Sequence, residues 1–236
     1  MSRTAVVTGA GSGVGQAVAL QLVKEGWNVG LIGRRAAALQ ETIRLAGDSG
    51  PQMRAVVCDV SDAQSVTSAC RVIEQKFGTP RVLVAAAGGN IPRRGWDVLS
   101  VEDYRGLIDA NLNGVFNCVH ALLPGMRTAG SGTIVAIVSD AGLQASAKAG
   151  AAYVASKFGL RGLCQSINCE ERAHGIRCTA VLPGDINTPI LDKRPVPPSQ
   201  EARSKMLQPE DVTACVMLAI NLPERAIVEE LLVRPR

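Results

Sequence analysis

The chain has 236 residues, of which 47% are hydrophobic, 19% are charged and 3% are aromatic, and its formal net charge is +4. This length suits one α/β domain with a full core better than two domains. Because the Lys and Arg residues are dispersed and aromatic rings for base stacking are few, composition argues against a nucleic-acid-binding function.

Cysteine and histidine content bears on the cellular compartment and on metal binding. The seven cysteines are scattered without a Cys-x-x-Cys pair, and only two histidines are present. We therefore predict reduced thiols and no metal site. The segment Met1–Thr4 lacks a signal-peptide layout, and no apolar run reaches the ~18 residues of a membrane span. We expect a cytoplasmic protein with no membrane or nucleic-acid partner.

Short β-branched runs alternate with longer helical patterns along nearly the whole chain. The predicted strands are Ala5–Thr8, Val29–Ile32, Ala55–Cys58, Val82–Ala86, Thr133–Ser139, Arg177–Leu182 and Glu230–Val233. The predicted helices are Val14–Glu25, Ala36–Ala46, Ala63–Phe77, Val101–Leu112, Val115–Thr128, Ala151–Ala173 and Pro209–Ile220. This alternation predicts a single α/β domain over residues 1–236, with a Rossmann fold. Its sheet would be a doubly wound, parallel, seven-stranded one with helices on both faces.

The one change in composition is a polar stretch with four prolines, at residues 185–208. Loops of this length are commonly functional, which favours a mobile lid over a substrate site. The alternative is a solvated surface loop.

A glycine-rich turn follows the first predicted strand and leads directly into a helical pattern. Gly9, Gly13 and Gly15 form a Gly-x-x-x-Gly-x-Gly pattern after Thr8. Glycines let the backbone approach a pyrophosphate, and a helix N-terminus offers free N–H groups and a positive dipole end. Neither the G-x-G-x-x-G spacing nor a Walker pattern is present. A tight turn without a ligand is therefore the alternative.

The end of the second predicted strand bears on the choice of cofactor. It reads Gly33-Arg34-Arg35 and contains no carboxylate. An NAD site commonly has an acidic side chain here for the ribose 2′-OH, whereas an NADP site has arginine for the 2′-phosphate. The sequence favours NADP over NAD. The alternative is that the two arginines are exposed residues at the start of a helix and bind no phosphate.

Four polar residues in the second half of the chain have the chemistry of proton transfer. Tyr153 and Lys157 stand four residues apart in a predicted helix, which places them on one face. A phenol has a pKa near ~10, so it donates a proton poorly at neutral pH unless a positive charge stabilises its anion. Ser139 ends the fifth predicted strand, and Asn111 lies between two predicted helices. Taken singly, these residues have ordinary explanations: a helix face, a turn and a helix cap.

Taken together and in this order, Asn111, Ser139, Tyr153 and Lys157 resemble the catalytic tetrad of the short-chain dehydrogenase/reductase family. The glycine turn resembles the cofactor loop of the same family. The resemblance implies an NADP-dependent oxidoreductase that transfers a hydride between nicotinamide and a carbonyl or secondary alcohol. Tyr153 would be the general acid or base, and Lys157 would lower its pKa and bind the nicotinamide ribose. Ser139 would hold the substrate oxygen, and Asn111 would anchor a water that links Lys157 to solvent.

The same resemblance implies a set of cofactor-binding positions. Asp59 matches a position that contacts adenine, and the segment 183–188 matches the loop that holds the carboxamide. The implied cofactor contacts are Gly9, Ser12, Gly13, Val14, Gly15, Arg34, Arg35, Asp59, Val60, Ala87, Gly88, Tyr153, Lys157, Pro183, Gly184, Ile186 and Thr188.

Two segments depart from the family pattern. Ala85 and Ala86 stand where Asn-Asn is common, so we expect a lost hydrogen bond at residue 86 and a less rigid strand end. Ser12 stands where many NADP-dependent relatives have a basic residue.

A pair of adjacent arginines, Arg93 and Arg94, follows the fourth predicted strand. They could meet an anionic substrate at the pocket rim, but a solvated basic loop is the favoured interpretation.

Two other functions stay open. A 3-oxoacyl-acyl-carrier-protein reductase ranks lower, because Cys169, Glu170 and Glu171 stand near the place where such enzymes carry docking arginines. A non-catalytic NADP-binding sensor is the rival from a different class.

Two parts of the chain bear on assembly. The predicted helices over 115–128 and 151–173 resemble those that pair across the family's dimer axis, and Glu230–Val233 resembles a strand used in its tetramers. We therefore expect a homotetramer, or a dimer, that acts on a small-molecule carbonyl or alcohol.

Overall fold

The computed structural model describes residues 3–236. The expectation that no signal peptide is present rests partly on Met1 and Ser2, and these two residues lie outside the described ones. The strands are β1 (Thr4–Thr8), β2 (Asn28–Gly33), β3 (Met53–Val57), β4 (Val82–Ala85), β5 (Gly132–Ile137), β6 (Ile176–Pro183) and β7 (Glu230–Val233). They form one parallel sheet in the order β3-β2-β1-β4-β5-β6-β7.

Helices form most of the remaining structure. The α-helices are α1 (Gly13–Lys24), α2 (Ala36–Leu45), α3 (Ala63–Phe77), α4 (Val101–Ile108), α5 (Gly114–Ala129), α6 (Ala151–Glu171), α7 (Gln200–Ser204) and α8 (Pro209–Asn221). A π-helical turn over Asp109–Asn113 joins α4 to α5, and short 3₁₀ segments occur at Gly47–Gln52, Asp140–Gly142, Arg172–His174 and Pro189–Lys193.

Successive residues of each strand point to opposite sides of the sheet, and helices cover both of its faces. In β1, Val6 joins one apolar cluster with residues of α3, α5 and α6. Its neighbours Ala5 and Val7 join the other cluster with residues of α1, α2 and α8. The packing is close: a Cβ atom on Gly30 of β2 would lie 2.4 Å from Cδ1 of Ile73 in α3.

The order of the strands determines where a ligand can bind. The chain runs outward from β1 to β2 and β3, and then returns to the other side of β1 at β4. The connections from β1 and β4 therefore leave the sheet toward opposite faces and open a crevice at the carboxyl ends of these two strands. In open α/β sheets, ligands bind in such a crevice.

The predicted fold is confirmed, with differences at the ends of elements. The predicted break around Asn111 is wrong: α4 runs through the π turn into α5 without an intervening loop. Ser139 does not end a strand, because β5 stops at Ile137. The segment 185–208 is partly helical, and its two ends are joined by a parallel bridge between Ile186 and Leu207.

Residues 3–236 contain neither a helix of membrane-spanning character nor a cluster of metal ligands. None of the helices there combines the length and the apolar character that a membrane crossing requires. No three His, Cys, Asp or Glu side chains in the same range come together as metal ligands could.

Candidate active site

A cleft of about 740 Å³ opens at the carboxyl ends of the strands. Its walls come from the turn after β1, the loop after β5, the first turns of α6 and the segment after β6. The sequence-predicted site residues that line it are Gly9, Ser12, Gly13, Val14, Gly15, Gly88, Ser139, Tyr153, Lys157, Pro183, Gly184, Ile186 and Thr188.

The glycine turn leaves the start of α1 open to an anion. Gly9 has a φ of +65°, and a Cβ atom there would lie 2.8 Å from the carbonyl oxygen of Ala86. Ser12 precedes α1 but makes no capping hydrogen bond, and the first turn of the helix holds no acidic residue. The first N–H groups and the positive dipole end of α1 therefore stay available, which fits the pyrophosphate of a dinucleotide.

The end of β4 is held to β1 without an asparagine at residue 86. The Thr8 hydroxyl accepts hydrogen bonds from the backbone N–H groups of Ala86 at 3.1 Å and Ala87 at 3.0 Å. Backbone donors thus tie this strand end to β1, so the alanine that replaces asparagine does not leave it unattached.

The two arginines after β2 lie at the same edge of the sheet but do not line the cleft. Arg34 is exposed, and its Nη1 lies 3.8 Å from Oδ2 of Asp59. Arg35 is also exposed and precedes α2 without capping it. Val60 is buried beside Asp59. Both guanidinium groups are therefore exposed to solvent at this end of the site, with Arg34 near one carboxylate.

Asp59 is ionised at neutral pH. Burial raises the pKa of its carboxyl, but hydrogen bonds from the backbone and side chain of Ser61, together with Arg34, lower it below its ordinary value overall.

Tyr153 and Ser139 meet on the cleft wall. Tyr153 lies in the first turn of α6, and its phenol is close enough to the Ser139 hydroxyl for that group to act on the pKa of Tyr153. The Ser139 hydroxyl also accepts from the N–H of Ala141 at 3.1 Å and donates to Oδ1 of Asp140 at 3.3 Å. These contacts fix the hydroxyl beside the phenol, where both can reach one substrate oxygen.

Ser139 is held in a strained backbone conformation. Among residues 3–236 it is the one non-glycine residue with a positive φ, at 149° with a ψ of 155°. Such a conformation costs on the order of 1–3 kcal/mol and is usually found at functional sites. The strained residue is also the one whose hydroxyl lies close enough to Tyr153 to act on its pKa.

The pKa of Tyr153 is raised above its ordinary value, contrary to the expected lowering. Removal of water from the partly buried phenol is the largest cause, and the negative charge of Asp140 adds to it. The nearby Ser139 hydroxyl and the charges of Arg194 and Arg94 lower the pKa, but these effects are outweighed. The phenol therefore keeps its proton at neutral pH.

Lys157 is buried one helical turn beyond Tyr153. Its Nζ donates a hydrogen bond to the carbonyl oxygen of Ile137 at 2.9 Å and lies 5.5 Å from the centroid of the Tyr153 ring. Burial lowers the pKa of Lys157 to about 8. The ammonium form still predominates at pH 7, at the floor of the cleft.

Asn111 lies behind the cleft wall and does not line it. Fully buried in the π turn, its side chain accepts from the N–H of Gly89 at 2.8 Å and donates to the Gly89 carbonyl at 3.0 Å. It also donates to the Ser156 hydroxyl at 3.2 Å. A Cβ atom on Gly88 would lie 3.1 Å from Asn111 Oδ1 and 3.8 Å from Lys157 Nζ. Asn111 thus holds the loop after β4 beside Lys157, while its role in binding water stays a prediction.

The segment after β6 closes the cleft opposite Tyr153. The N–H of Gly184 donates to the carbonyl of Val233 at 2.8 Å, which continues the pairing of β6 with β7. Further along, Thr188 lies against the glycine turn, because a Cβ atom on Gly13 would be 3.1 Å from its methyl carbon. The predicted carboxamide loop and the predicted pyrophosphate turn therefore face each other.

One polar residue of the cleft departs from the favoured sequence interpretation. Arg94 is buried and lines the cleft, whereas its neighbour Arg93 is exposed and pairs with Asp103. The sequence contained no signal that separates the two arginines, because the burial of Arg94 depends on loops far along the chain. Arg194 and Asp185 form an ion pair at the cleft. Both lie in the segment 185–208, but the sequence singles out neither residue.

The fold and the site together define a Rossmann-type oxidoreductase. A family model described as short chain dehydrogenase matches residues 3–197. The chain belongs to the short-chain dehydrogenase family, as its resemblance predicted.

Two curated relatives show the range of proteins in which this sequence pattern occurs. The chain is 34% identical over 239 residues to the glycine betaine reductase ATRR of Emericella nidulans, an alignment that includes 99% of this chain but 19% of that longer protein. It is 32% identical over 234 residues to an uncharacterised oxidoreductase of Staphylococcus aureus strain MW2, with coverage of 99% and 97%.

A solved structure has the same overall arrangement. The alcohol dehydrogenase of the archaeon Thermococcus sibiricus, complexed with 5-hydroxy-NADP, superposes with a TM-score of 0.88 at 28% identity. The alignment covers 100% of this chain and 97% of that one.

The burial of Lys157 predicts a pH-dependent loss of stability. In the unfolded chain its pKa is 10.5, so between pH 8 and 10.5 the unfolded state holds a proton that the folded state has released. Stability from this group therefore rises with pH across that window, and the burial penalty is fully present below it. Because one pKa unit corresponds to about 1.4 kcal/mol, the penalty is about 3 kcal/mol.

Lys157→Met should therefore raise the free energy of unfolding at pH 7 by about 2 kcal/mol, since part of the gain is offset by the lost hydrogen bond to Ile137. The gain should disappear near pH 10.5 in urea unfolding curves. Lys76→Met, which removes an exposed lysine, is the control and should show no such pH dependence. Equal stability of Lys157→Met and the unchanged protein at pH 7 would contradict the predicted burial penalty.

Proposed function

We propose that the protein is an NADP-dependent oxidoreductase that reduces a carbonyl compound or oxidises the corresponding secondary alcohol. The observation that carries this proposal is the meeting of Tyr153, Ser139 and Lys157 on one cleft that also contains an uncapped helix N-terminus. Proton donor, oxygen-binding hydroxyl and buried cation are the groups that reduction of a carbonyl requires.

Each of these side chains has a distinct role in the proposed reaction. When bound, a reduced nicotinamide supplies a hydride to the carbonyl carbon. Tyr153 donates its proton to the carbonyl oxygen as negative charge develops there, and the Ser139 hydroxyl donates a hydrogen bond to the same oxygen. The buried ammonium of Lys157 binds the ribose next to the nicotinamide and stabilises the phenolate that Tyr153 becomes. The raised pKa leaves the proton on Tyr153 at neutral pH, so in this proposal its transfer depends on the stabilisation that Lys157 gives to the phenolate.

Tyr153→Phe should lower kcat/KM for carbonyl reduction by at least about 100-fold, because the phenol is the proton donor. The measurement is the carbonyl-dependent fall of NADPH absorbance, with thermal unfolding and NADPH binding to show an intact fold. Tyr104→Phe is the matched control: Tyr104 is the other tyrosine, exposed on α4. Near-normal turnover by Tyr153→Phe would remove Tyr153 from the proposed role.

NADP is the preferred cofactor in this proposal. Arg34 and Arg35 offer two exposed guanidinium groups at the end of β2, where a ribose phosphate would lie. Asp59 faces the same end but is already next to Arg34, which limits its repulsion of a phosphate. The solved alcohol dehydrogenase that resembles this chain holds an NADP analogue, which supports the same choice.

The double variant Arg34→Ala with Arg35→Ala should lower kcat/KM for NADPH by about 10- to 100-fold, the usual effect of losing charge-assisted bonds to a phosphate. Activity with NADH should change little, because NADH has no 2′-phosphate. Arg44→Ala in α2, the helix that Arg35 precedes, is the control, because Arg44 is exposed and pairs with Glu41. An equal loss with NADPH and NADH would contradict the assignment.

The segment 185–208 is proposed as a substrate lid within the single domain 1–236. Its base is closed by the Ile186–Leu207 bridge and by a hydrogen bond from the N–H of Asn187 to the carbonyl of Leu207 at 2.8 Å. Residues 188–191 and Arg194 line the cleft. The segment thus leaves and rejoins the fold at one place and covers the substrate side.

The two alternative functions have less support. A non-catalytic sensor has no need of a strained Ser139 beside a protonated Tyr153; tight NADPH binding with no turnover on a broad carbonyl panel would favour it. For a carrier-protein reductase, the positions near which docking arginines are expected hold the exposed Cys169 and Glu170, and Glu171 is buried in an ion pair with Arg127.

We also propose a homotetramer in a reducing, cytoplasmic compartment. All seven cysteines are free, which suits such a compartment. Phe116 on α5 and Phe158 on α6 are large apolar side chains left exposed on one chain, and Leu232 is exposed on the edge strand β7. Apolar side chains grouped on the surface commonly mark an interface.

Light scattering should give a mass four times that of one chain. The double variant Phe116→Glu with Phe158→Glu should lower that mass, because charges are costly in an apolar interface. Leu45→Glu, at an exposed position on α2, is the control and should leave the mass unchanged. A monomer mass for the unchanged protein would refute the proposed assembly.

A further inference from the structure

Arg94 is a buried cation on the substrate side of the cleft. It is 7% exposed and lies in the connection between β4 and α4. Its backbone and side chain lie against Gly150, where a Cβ atom would be 2.6 Å from the Arg94 carbonyl oxygen. Gly150 immediately precedes α6, three residues before Tyr153. Arg94 and Tyr153 are close enough that each shifts the pKa of the other.

Arg94 has no acidic partner within residues 3–236, although it shares the cleft with two carboxylates. Asp185 pairs with Arg194, and Asp140 lies 3.5 Å from Nε of Arg234. The carboxylates of the cleft are thus already used by other arginines. Burying a cation is costly unless it is paired. An anionic ligand placed against the Arg94 guanidinium would therefore offset part of that cost.

The pKa of Arg94 is consistent with that position. Burial lowers it below the ordinary value, and the like charge of Arg194 lowers it further. Both causes would be offset by an anion placed against the guanidinium.

The guanidinium has donors left for such an anion. Nε donates to the carbonyl of Ile91 at 2.6 Å, Nη1 to that of Lys148 at 3.2 Å and Nη2 to that of Lys193 at 2.7 Å. A guanidinium has five N–H groups, so one on each terminal nitrogen is still unused. Two N–H groups on adjacent nitrogens match the two oxygens of a carboxylate.

We propose that Arg94 binds a carboxylate of the substrate, so that the natural substrates are oxo acids or the corresponding hydroxy acids. This inference rests on the proposed function, because it names the substrate class of the same site. Arg94 is a specificity residue in it: the carboxylate is held at Arg94, and the carbonyl is thereby placed at Tyr153 and Ser139. The three backbone contacts hold the guanidinium in place for that task.

The unchanged protein provides the first test. Pyruvate, acetoacetate and levulinate, which differ in the spacing between carbonyl and carboxylate, are each compared with their own primary amide in NADPH-dependent reduction. An amide has nearly the same shape as the acid but no charge. For at least one spacing, kcat/KM for the acid should exceed that for the amide by about 10- to 100-fold, the range expected for a hydrogen bond to a charged group.

Variants of Arg94 separate recognition from structural support. In Arg94→Gln the acid-to-amide ratio should fall to near one, and in Arg94→Lys it should stay above one but below the original value. The ratio is measured within each variant, so a loss of folded or active enzyme cancels. Arg93→Gln is the matched control, because the neighbouring Arg93 is exposed and pairs with Asp103 at 3.2 Å. If Arg94→Gln does not fold, the comparison of Arg94→Lys with the unchanged protein decides.

A binding measurement gives a readout without turnover. Butanoate in the presence of NADP should raise the unfolding temperature of the unchanged protein, since a ligand that binds the folded state stabilises it. Butanamide should not, and neither compound should act on Arg94→Gln.

The possible failures are distinguishable. Equal activity on acids and amides, or an equal loss of both in Arg94→Gln, would overturn the carboxylate assignment and leave Arg94 as a structural residue in a working reductase. No turnover of any carbonyl compound, charged or neutral, would instead overturn the proposed function itself.

Discussion

The hydrogen bond from Lys157 Nζ to the carbonyl of Ile137 is the contact on which the site depends most. It joins the first turns of α6 to the end of β5 through a buried charge. With this contact in place, Tyr153 lies one turn earlier on the same helix and Ser139 two residues beyond the same strand. Their meeting is therefore a consequence of how α6 docks on β5. Burial of the Lys157 ammonium lowers the stability of the folded protein, and the position of Tyr153 beside Ser139 depends on that burial.

The rest of the site is built from backbone groups that side chains hold in position. Thr8 accepts from two N–H groups at the end of β4, and Asn111 holds both polar groups of Gly89. Arg94 does the same for three carbonyls from three separate loops. Since loops lack the regular hydrogen bonds of helices and strands, such side chains supply the rigidity that a catalytic geometry requires.

Local patterns predicted the fold and most of the site, and long-range contacts account for what they missed. The strands, the glycine turn and the spacing of Tyr153 and Lys157 are visible in short windows of sequence. The π turn at Asn111 is not, and its buried side chain contacts a loop that precedes it by more than twenty residues. The difference between Arg93 and Arg94 arises from contacts to residues 148 and 193. The raised pKa of Tyr153 likewise follows from burial by several segments, which a local window does not contain.

The π turn at Asp109–Asn113 also changes the phase of the long helix that it interrupts. Successive residues of an α-helix are turned by about 100° around its axis, and a π turn accommodates one residue more than an α turn does. The faces that α4 and α5 turn toward the rest of the protein are thereby offset from each other, although no loop separates the two helices. A shorter chain at this point would restore a regular helix and rotate Asn111 away from Gly89. The extra residue thereby lets a continuous helical segment carry one buried amide, Asn111, at the place where the loop after β4 is held.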